Sequence, residues 1–409
     1  MMSTDAEVLI VGAGPAGAAL AIELARKGRD VLIVERSAFP RDKPCGDCLN
    51  PGAVNQLRSL GVADRLYERL SPTPLRGWRI QAPDGLSLDL QFGKSDSGGA
   101  IVGWAVRRRD FDEALLDEAI RAGARVQFGA RVSNVLLERR RVVGVMCRDG
   151  AAVHEVYARF IVGADGIRSV VQRRLGLKGR KPRLRKIALV AHLDGLVGSS
   201  ELGELRVRGG HTCGYVGMGA GANLTLVVPE SEAEAIAGRS SEFLSEVLRD
   251  FPEVAESLRR FRLETPVMVT GPFDHPVRRA WTAGAALIGD AAGYYDPFTG
   301  QGVHQALWSA RLVAPAIEMA LRDPSVEVRA LKNYGRQIRQ SLLPKRTLQR
   351  VIEAAVSRPR VMSWFLSLMS RDAASASRVL RAVGDLDHPA GLLDPGVWSR
   401  LLLRVDNLA

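Results

Sequence analysis

The sequence predicts an α/β protein in which a parallel-sheet domain is interleaved with an antiparallel-sheet domain, followed by a helical C-terminal region. Three patterns support this prediction. An apolar run near the N-terminus leads into a glycine-rich turn and then a helix. Residues 187–228 alternate apolar and polar positions with many glycines, which is typical of an antiparallel sheet with one exposed face. After about residue 303 most apolar residues have helical spacing.

The N-terminal pattern is that of a βαβ unit. Residues 7–11 form an apolar run typical of a buried parallel strand, and residues 18–27 have apolar positions at helical spacing. Gly28 is placed to end that helix, and residues 31–34 form a second apolar run. This unit opens the mixed α/β fold.

Composition places the chain among globular proteins with a large core. Its 409 residues, 46% of them hydrophobic and 25% charged, are enough for two domains. The net charge of +12 favours anionic partners such as phosphates or anionic lipid surfaces, although a bias of the genome towards arginine codons would give the same balance. The sequence contains no recognisable nucleic-acid-binding signature, so we expect no nucleic acid partner.

The N-terminus and the cysteines favour a cytoplasmic location. The first residues contain no secretory signal, and no uncharged stretch approaches the roughly 20 apolar residues that span a bilayer. Four cysteines in so long a chain do not make a disulfide framework, and they fit a reducing compartment. Peripheral contact with a membrane stays open at this point.

A glycine-rich turn after the first strand predicts dinucleotide binding. Gly12, Gly14 and Gly17 have the spacing G-x-G-x-x-G between a strand and a helix. The first glycine permits a tight turn, the second lets a pyrophosphate approach the backbone, and the third lets the helix pack on the strand. Glu35 ends the second strand where an acidic side chain accepts hydrogen bonds from an adenosine ribose. This turn alone does not distinguish NAD from FAD.

A second loop favours FAD. Residues 289–292, with the sequence GDAA, follow a buried strand, and residues 297–302 precede a helix predicted from about Val303. Small residues there would let backbone amides and a helix N-terminus approach a cofactor oxygen. Such donors suit the negative charge at N1 and the C2 carbonyl of a reduced flavin.

Four motifs occur in order along the chain: VGAGPAGAALA with Glu35, R-x-x-F-D from Arg108 to Asp112, VGADGIRSVVQ at 162–172, and LIGDAAGYYDPFTGQG at 287–302. Together they resemble the flavoprotein superfamily of geranylgeranyl reductases, aromatic hydroxylases of the para-hydroxybenzoate hydroxylase type and flavin-dependent halogenases. The resemblance covers the chain from Val8 to about Leu312. It implies a Rossmann-like FAD-binding domain of the glutathione reductase type, interleaved with an antiparallel-sheet substrate domain.

We expect a discontinuous division of the chain. The FAD-binding domain would comprise residues 1–75, 100–180 and 275–320. The substrate domain would comprise residues 76–99 and 181–274, and the C-terminal helical region residues 321–409.

The resemblance also implies roles for individual residues. The ADP half of FAD would lie at the glycine turn, Arg108 would contact its phosphates and ribityl chain, and Asp290 would bond the ribityl chain or the pyrophosphate. Residues 297–302 would line the isoalloxazine. Asp165 and its neighbour resemble a short motif that family hydroxylases place at the cofactor and, in some members, at a pyridine nucleotide. The residues expected to bind FAD are Gly12, Gly14, Pro15, Ala16, Gly17, Glu35, Arg36, Arg108, Asp165, Asp290, Pro297, Gly300, Gln301 and Gly302.

The loop FPRDKPCGDCLNPGA gives a narrower resemblance. Pro44, Cys45 and Gly46 match the P-C-G segment of geranylgeranyl and menaquinone-type reductases, whose cysteine lies beside the flavin. Cys45 is therefore a candidate for proton delivery or for altering flavin reactivity. Its spacing to Cys48 is also that of a redox dithiol, which near a helix start would have a lowered thiol pKa. A packing role and a disulfide are the alternatives, and without a second ligand pair no metal is expected.

The chain also departs from specialised members of the superfamily. The reductases carry a Y-x-W-x-F-P motif on the sheet over their lipid pocket, where this chain has CGYVGM at 213–218. The W-x-W-x-I-P motif and the tunnel lysine of the halogenases do not occur in this sequence. These differences weaken the prediction of prenyl reduction and the prediction of halogenation for this chain.

Further candidates lie near the second loop and in the C-terminal region. His304 and Tyr294 or Tyr295 could act on a substrate hydroxyl as acid or base, with packing as the alternative. We take Cys45, His304 and Tyr295 as the catalytic candidates. The apolar run at 364–369 could rest on a membrane, admit a lipid-like substrate or belong to the core.

The favoured interpretation is an FAD-dependent monooxygenase that hydroxylates a small apolar aromatic or polyketide-like molecule of secondary metabolism. One alternative is a reductase that saturates prenyl double bonds, and another is a non-catalytic flavin-binding partner subunit. Electrons would come from NADH or NADPH, or from a separate reductase. The sequence does not distinguish these donors, because it contains no second nucleotide-binding fingerprint.

Overall fold

The computed structural model describes residues 4–194, 200–219, 221–258 and 262–392, and the predicted α/β fold class is confirmed. The last part of the predicted C-terminal region, residues 393–409, lies outside the described residues. The strands are β1 (Ala6–Val11), β2 (Val31–Val34), β3 (Cys48–Leu49), β4 (Thr73–Leu75), β5 (Gly77–Gln81), β6 (Ser87–Gln91), β7 (Gly103–Ala105), β8 (Arg125–Gln127), β9 (Arg131–Glu138), β10 (Arg141–Asp149), β11 (Ala152–Gly163), β12 (Lys186–Asp194), β13 (Leu202–Arg208), β14 (His211–Met218), β15 (Gly221–Pro229), β16 (Arg262–Leu263), β17 (Met268–Thr270), β18 (Trp281–Thr282) and β19 (Ala285–Leu287). The α-helices are α1 (Pro15–Ala25), α2 (Pro51–Ser59), α3 (Ala63–Leu70), α4 (Arg108–Arg121), α5 (Val170–Arg174), α6 (Ala233–Ile236), α7 (Ser240–Val247), α8 (Pro252–Leu258), α9 (Gly302–Arg322), α10 (Glu327–Val356), α11 (Pro359–Arg371) and α12 (Ala373–Val383).

The first sheet carries the N-terminal βαβ unit. Its order is β18-β19-β11-β1-β2-β8, and β1 pairs in parallel with both β11 and β2. The core of β1 is an unbroken apolar run, Val8 to Ile10, with no solvent exposure, because helices cover the sheet on both faces. The carboxyl ends of β1, β11 and β19 therefore meet at one edge, where the glycine turn and the second loop begin.

The second sheet is built from two separate parts of the chain. Its order is β16-β12-β15-β14-β13-β5-β6, with β17 also paired to β12. The central strands β12 and β15 are covered on both faces, so the expectation of one exposed face is wrong for them. Ile187 and Leu189 pack on a cluster with α7, whereas the alternate residue His192 is buried on the opposite face, against Asp47. The short sheet β3-β7-β4 lies between the two parts of the fold.

The C-terminal helices share a core with the second sheet. Leu90 and Phe92, at and just after the end of β6, cluster with Leu366 and Leu380 from α11 and α12. Most of the apolar run at 364–369 is buried in this cluster, although Trp364 is 49% exposed. In the described ranges, no helix has the length and apolar character needed to cross a membrane.

Candidate FAD and substrate site

In the glycine turn between β1 and α1, the first and last glycines have no room for a side chain, whereas the middle glycine has. A β-carbon on Gly17 would lie 2.0 Å from the Gly12 carbonyl oxygen, and one on Gly12 would lie 2.7 Å from the Ala164 carbonyl oxygen. Gly12 also has φ of +103°, which favours glycine. At Gly14 the nearest atom would be Nη2 of Arg41, 3.7 Å away. The space at Gly14 is therefore open to a phosphate, beside the N-terminus of α1 and an arginine.

Glu35 joins this turn to the end of β2. Its Oε2 accepts a hydrogen bond from the Ala13 amide at 2.9 Å, and its Oε1 accepts one from the Ser37 amide at 3.0 Å. Glu35 is buried, whereas Arg36 beside it is exposed. Because a carboxylate offers about four acceptor sites, Glu35 retains capacity for ribose hydroxyls.

The second loop follows β19 and packs directly against the glycine turn. Gly289 has φ of +57°, and a β-carbon there would lie 2.9 Å from Cβ of Ala16. Gln172 holds the loop by donating from Nε2 to the carbonyl oxygen of Ala291 at 3.1 Å. The two stretches predicted to bind opposite ends of one FAD are therefore neighbours in the fold.

The remaining loop residues lead from the phosphate side towards the start of α9. Asp290 is half-buried, with Lys43 as an electrostatic neighbour. Gly300 has φ of +64°, and Gln301 is buried as the N-cap of α9. Pro297, Gly300 and Gly302 are half-buried, so the loop presents small surfaces at the N-terminus of a long helix.

Asp165 follows β11 and lies against the glycine turn. Its Oδ2 accepts a hydrogen bond from the Val170 amide at 2.6 Å, while its buried Oδ1 has no partner in the described part of the chain. Burial raises the pKa of Asp165 above its ordinary value. A buried oxygen without a partner costs stability unless a ligand or water supplies one, so this atom fits a position beside a bound cofactor.

Three cations meet two carboxylates between the two loops. Arg108 forms a bidentate ion pair with Asp112 at 2.8 and 2.9 Å, and Nη2 of Arg41 lies 3.4 Å from the same carboxylate. Burial lowers the pKa of Lys43, with Arg108 adding to the effect and Asp290 opposing it. This excess of positive charge suits the pyrophosphate of a dinucleotide.

Cys45 and Cys48 are both free thiols. Nη1 of Arg108 donates to Sγ of Cys45 at 3.5 Å, so this thiol belongs to the cationic cluster. Sγ of Cys48 would lie 3.4 Å from a β-carbon on Gly300, which places it against the second loop. Burial raises the pKa of Cys48, so the expectation of a lowered thiol pKa is wrong for this residue.

A buried polar clamp fixes the backbone around Cys45. Asp47 has φ of +51°, and its Oδ1 accepts a hydrogen bond from the Arg108 amide at 2.9 Å. Its Oδ2 accepts one from Nδ2 of Asn223 at 2.8 Å and lies 2.5 Å from Nε2 of His192. Nδ2 of Asn223 also donates to the Cys45 carbonyl oxygen at 2.7 Å. The second sheet therefore holds the cysteine loop from β12 and β15.

Tyr294 and Tyr295 lie in different surroundings. Tyr294 has Cys45 as an electrostatic neighbour and would lie 4.0 Å from a β-carbon on Gly302. Burial raises the pKa of Tyr294 well above its ordinary value. The Tyr295 ring instead lies 5.6 Å from the guanidinium of Arg350 on α10. Tyr294 is thus the tyrosine with Cys45 as an electrostatic neighbour, although both tyrosines pack on one apolar cluster with Phe273. The acid–base role of Tyr295 stays a prediction.

His304 is buried in the first turn of α9. Its Nδ1 lies 3.1 Å from Nζ of Lys345 and 3.2 Å from Oδ2 of Asp385. Burial lowers the pKa of His304 to about 4, so the ring is neutral at pH 7. Nδ1 lies between the Lys345 ammonium, which can donate to it, and the Asp385 carboxylate, which can accept a hydrogen bond from it. The acid–base role of His304 stays a prediction.

Asp385 is the centre of a second buried network, at the end of α12. Nδ2 of Asn50 donates to its Oδ2 at 2.8 Å, and Nε2 of Gln301 donates to its Oδ1 at 2.9 Å. Nζ of Lys345 lies 2.6 Å from the same Oδ1. The N-caps of α2 and α9 therefore meet at one carboxylate from the C-terminal region.

An apolar slot of about 60 Å³ runs between the second sheet and the C-terminal helices. It reaches the second loop at Phe298 and Thr299. The predicted substrate domain, residues 76–99 and 181–274, supplies one wall of this slot, and α10, α11 and α12 supply much of the rest. The apolar side chains that line the slot include Trp78, Ile80, Leu90, Leu205, Ile352, Val356, Met362, Phe365, Leu366, Met369, Leu380 and Val383.

The two facing loops, the acid at the end of β2 and the unpartnered Asp165 oxygen fit FAD and define an FAD-dependent oxidoreductase. The chain belongs to the FAD binding domain family, which it matches over residues 5–342. The predicted resemblance to this flavoprotein superfamily is confirmed.

Relatives and solved structures agree with this class. The chain is 32% identical over 342 residues to a menaquinone reductase of Mycobacterium tuberculosis, covering 78% of each chain. It is 32% identical over 343 residues to digeranylgeranylglycerophospholipid reductase 1 of Methanopyrus kandleri, covering 80% of this chain and 84% of the relative. A geranylgeranyl bacteriochlorophyll reductase-like protein from Thermoplasma acidophilum shares the fold with a TM-score of 0.78 at 22% identity, covering 97% of this chain and 98% of the other. Flavin-dependent halogenases share it as well.

Several residues of the site were missed from the sequence. Arg41 and Lys43 directly precede the P-C-G segment. Their positive charge in the FPRDKPCG loop was a signal from which a phosphate contact could have been predicted. His192, Asn223 and Asp385 had no local signal, because they reach the site from strands or helices far along the chain.

Proposed function

We propose that this protein is an FAD-dependent reductase that saturates carbon–carbon double bonds in an apolar, isoprenoid-like substrate, with NADH or NADPH as the electron donor. The observation that carries the proposal is the free Cys45 thiol beside Arg108, in a site whose flavin loop also ends an apolar slot. The names of the menaquinone and digeranylgeranylglycerophospholipid reductases support it. The hydroxylase favoured by sequence analysis stays a prediction that the same experiment tests.

The chain's own residues would hold FAD and keep water from its ring. The open position at Gly14, with Arg41 and Lys43, would bind the pyrophosphate, and Glu35 would bind the ribose. The second loop would lie along the isoalloxazine, with the slot beyond it. At about 60 Å³ the slot must widen between the second sheet and the C-terminal helices to admit an isoprenoid chain. When bound, FAD supplies hydride transfer to and from the donor and the substrate.

Saturation of a double bond adds a hydride to one carbon and a proton to the other. In the proposed reaction Sγ of Cys45 gives that proton to the substrate carbon and becomes a thiolate. Nη1 of Arg108, 3.5 Å from the sulfur, stabilises the thiolate charge until water returns the proton. The hydroxyl of Thr299, on the slot wall, donates to Gln301 at 3.0 Å and accepts from Gln349 at 3.0 Å, so it serves to fix the second loop.

Anaerobic half-reactions test the proposal. The FAD-loaded enzyme is reduced in the absence of oxygen and mixed with menaquinone or a geranylgeranyl lipid, and the return of the oxidised flavin spectrum is followed. We expect reoxidation with a product heavier by two hydrogens, and a rate about 10²-fold or more lower in Cys45→Ala, because it lacks the proton donor. Cys48→Ala is the matched control and should keep the rate.

The opposite outcome is equally clear. If the reduced enzyme is not reoxidised without oxygen, and substrate instead stimulates oxygen consumption with a hydroxylated product, the reductase proposal is wrong and the hydroxylase is supported. If Cys45→Ala retains the full anaerobic rate, the cysteine packs against the cofactor without delivering a proton.

A further inference from the structure

A basic cleft of about 430 Å³ lies beside the second loop. None of the residues that line it belongs to the predicted FAD-binding residues or to the apolar slot. Its cationic lining residues are Lys178, Arg180, Arg278, Arg346 and Arg350. Asp274 is the acidic residue among those that line it. The volume is within the range of small-molecule sites, about 300–1,000 Å³.

Asp274 is already committed to other partners. Nη1 and Nη2 of Arg180 donate to its two carboxylate oxygens at 2.8 and 3.3 Å, and the Arg183 amide donates to Oδ2 at 2.7 Å. The carboxylate is 3% exposed. One carboxylate, hydrogen-bonded to Arg180 and also acting on Arg346, therefore faces five cations, which leaves the cleft with an excess of positive charge.

The guanidinium of Arg346 lies where the cleft meets the second loop. A β-carbon on Gly293, which directly follows the GDAA segment, would lie 2.2 Å from Nη2 of Arg346. Burial lowers the pKa of Arg346, and Arg350 and Arg180 lower it further, while Asp274 opposes them. Because a guanidinium stays protonated, this repulsion is relieved by an anionic ligand and not by loss of a proton.

The cleft and the apolar slot lie on different faces of α10. Arg346 and Arg350 are four residues apart and share one face, whereas Ile352 and Val356 share another and line the slot. One ligand is therefore not expected to place its apolar chain in the slot and its anionic group in the cleft. The cleft suits a second ligand that approaches the flavin loop from the other side.

We propose that this cleft binds the diphosphate group of an organic phosphate. Under the proposed function, that organic phosphate is the dinucleotide electron donor. Planar guanidinium groups match phosphate oxygens in bidentate pairs, and a cleft lined by one sign of charge concentrates such a ligand. The identity of the donor rests on the proposed function, whereas diphosphate binding does not. The excess of cations favours NADPH, with its additional phosphate, over NADH.

Binding measurements on the FAD-loaded protein test this site without turnover. Inorganic diphosphate and NADPH are titrated into the wild type and into the double variant Arg278→Gln/Arg350→Gln at fixed ionic strength. Both altered side chains are exposed at the cleft. We expect diphosphate to compete with NADPH, and the double variant to bind both at least about ten-fold more weakly while keeping its FAD. Arg339→Gln is the matched control, an exposed arginine of α10 outside the cleft.

Three outcomes overturn the proposal. These are equal affinities in the double variant and the control, NADPH binding that diphosphate does not displace, and binding of anionic phospholipid vesicles without binding of diphosphate. If the anaerobic test of double-bond reduction fails while diphosphate binding is lost in the double variant, the proposed function is wrong and the site is retained.

Discussion

At the scale of single residues, glycines of one turn serve different purposes. Gly12 and Gly17 are needed by the fold, because a β-carbon on either would meet a carbonyl oxygen. Gly14 has no such constraint, because a β-carbon there would lie 3.7 Å from the nearest atom, Nη2 of Arg41, which leaves room for the predicted phosphate. The distances therefore agree with the separate roles that the motif predicts for these glycines.

This difference predicts opposite results for two substitutions. Gly14→Val should fold with a stability within about 0.5 kcal/mol of the wild-type apoprotein, because the added atoms enter open space. It should lose FAD, because the same atoms fill the pyrophosphate position. Gly17→Ala should destabilise the fold by about 1–3 kcal/mol through its clash with Gly12.

Flavin absorbance of the purified proteins and urea unfolding of the apoproteins check both results. A Gly14→Val protein with a full complement of FAD would show that the pyrophosphate lies elsewhere.

His304 predicts a pH dependence of stability. Burial lowers the pKa of His304 to about 4 in the folded chain, against about 6.5 when unfolded. Between these values the unfolded chain binds a proton that the folded chain does not, so this contribution to stability is present above pH 6.5 and is lost as the pH falls. From pH 7 to pH 5 the loss is about 2 kcal/mol.

Urea unfolding of wild type and His304→Asn at both pH values measures the effect. The wild type should lose about 2 kcal/mol more than the variant over this interval. Equal losses would mean that His304 titrates alike in the folded and unfolded chains.

At the scale of elements, two strands of the second sheet hold a loop of the FAD-binding side. The side-chain alternation of β12 and β15 sends Ile187 and Leu189 into one core, and His192 and Asn223 to the other face. There they bind Asp47 and the Cys45 backbone. The sheet therefore positions the cysteine as well as forming part of the substrate side.

Asn223→Ala should loosen this clamp. It removes the two hydrogen bonds that Nδ2 donates, at 2.7 and 2.8 Å, and the one that Oδ1 accepts from Thr225 at 2.8 Å, so we expect a loss of about 1–3 kcal/mol in stability. FAD should be retained, because Asn223 is not among the residues expected to bind it. The anaerobic reduction rate should fall, because Cys45 is displaced. Asn333→Ala, at an exposed position of α10, is the control and should change neither quantity. A destabilised variant with the wild-type rate would show that the clamp serves the fold alone.

At the scale of the whole molecule, the C-terminal region contributes both to the apolar slot and to the surroundings of the second loop. Its helices wall the apolar slot, and Asp385 receives hydrogen bonds from the N-caps of two helices that flank the flavin loop. The two parts of the fold are thus joined through one buried carboxylate as well as through the clamp at Asp47.

Asp385→Asn should weaken that connection. The substitution leaves the Lys345 ammonium without its buried anion, and we expect a loss of about 3 kcal/mol or more in stability together with weaker FAD retention. Asp387→Asn removes an exposed partner of Arg381 and should cost less than about 1 kcal/mol. Thermal unfolding followed by flavin fluorescence distinguishes the two variants, and equal shifts would remove Asp385 from this role.

The sequence by itself determined the fold class, the presence of an FAD binding domain and the family. These depend on local backbone geometry: the glycine spacing at 12–17, the acid at the end of the second strand and the small residues at 289–292 are contiguous patterns. The position of Cys45 in its loop was accessible in the same way.

Only the tertiary structure decided which distant side chains complete the site. Asp47 meets Asn223, and Gln301 meets Asp385, across long stretches of chain, and a pairing between surfaces leaves no periodic pattern in the sequence. Local motifs specify the shape that receives a ligand, whereas the packing of remote elements determines the charges and walls around it.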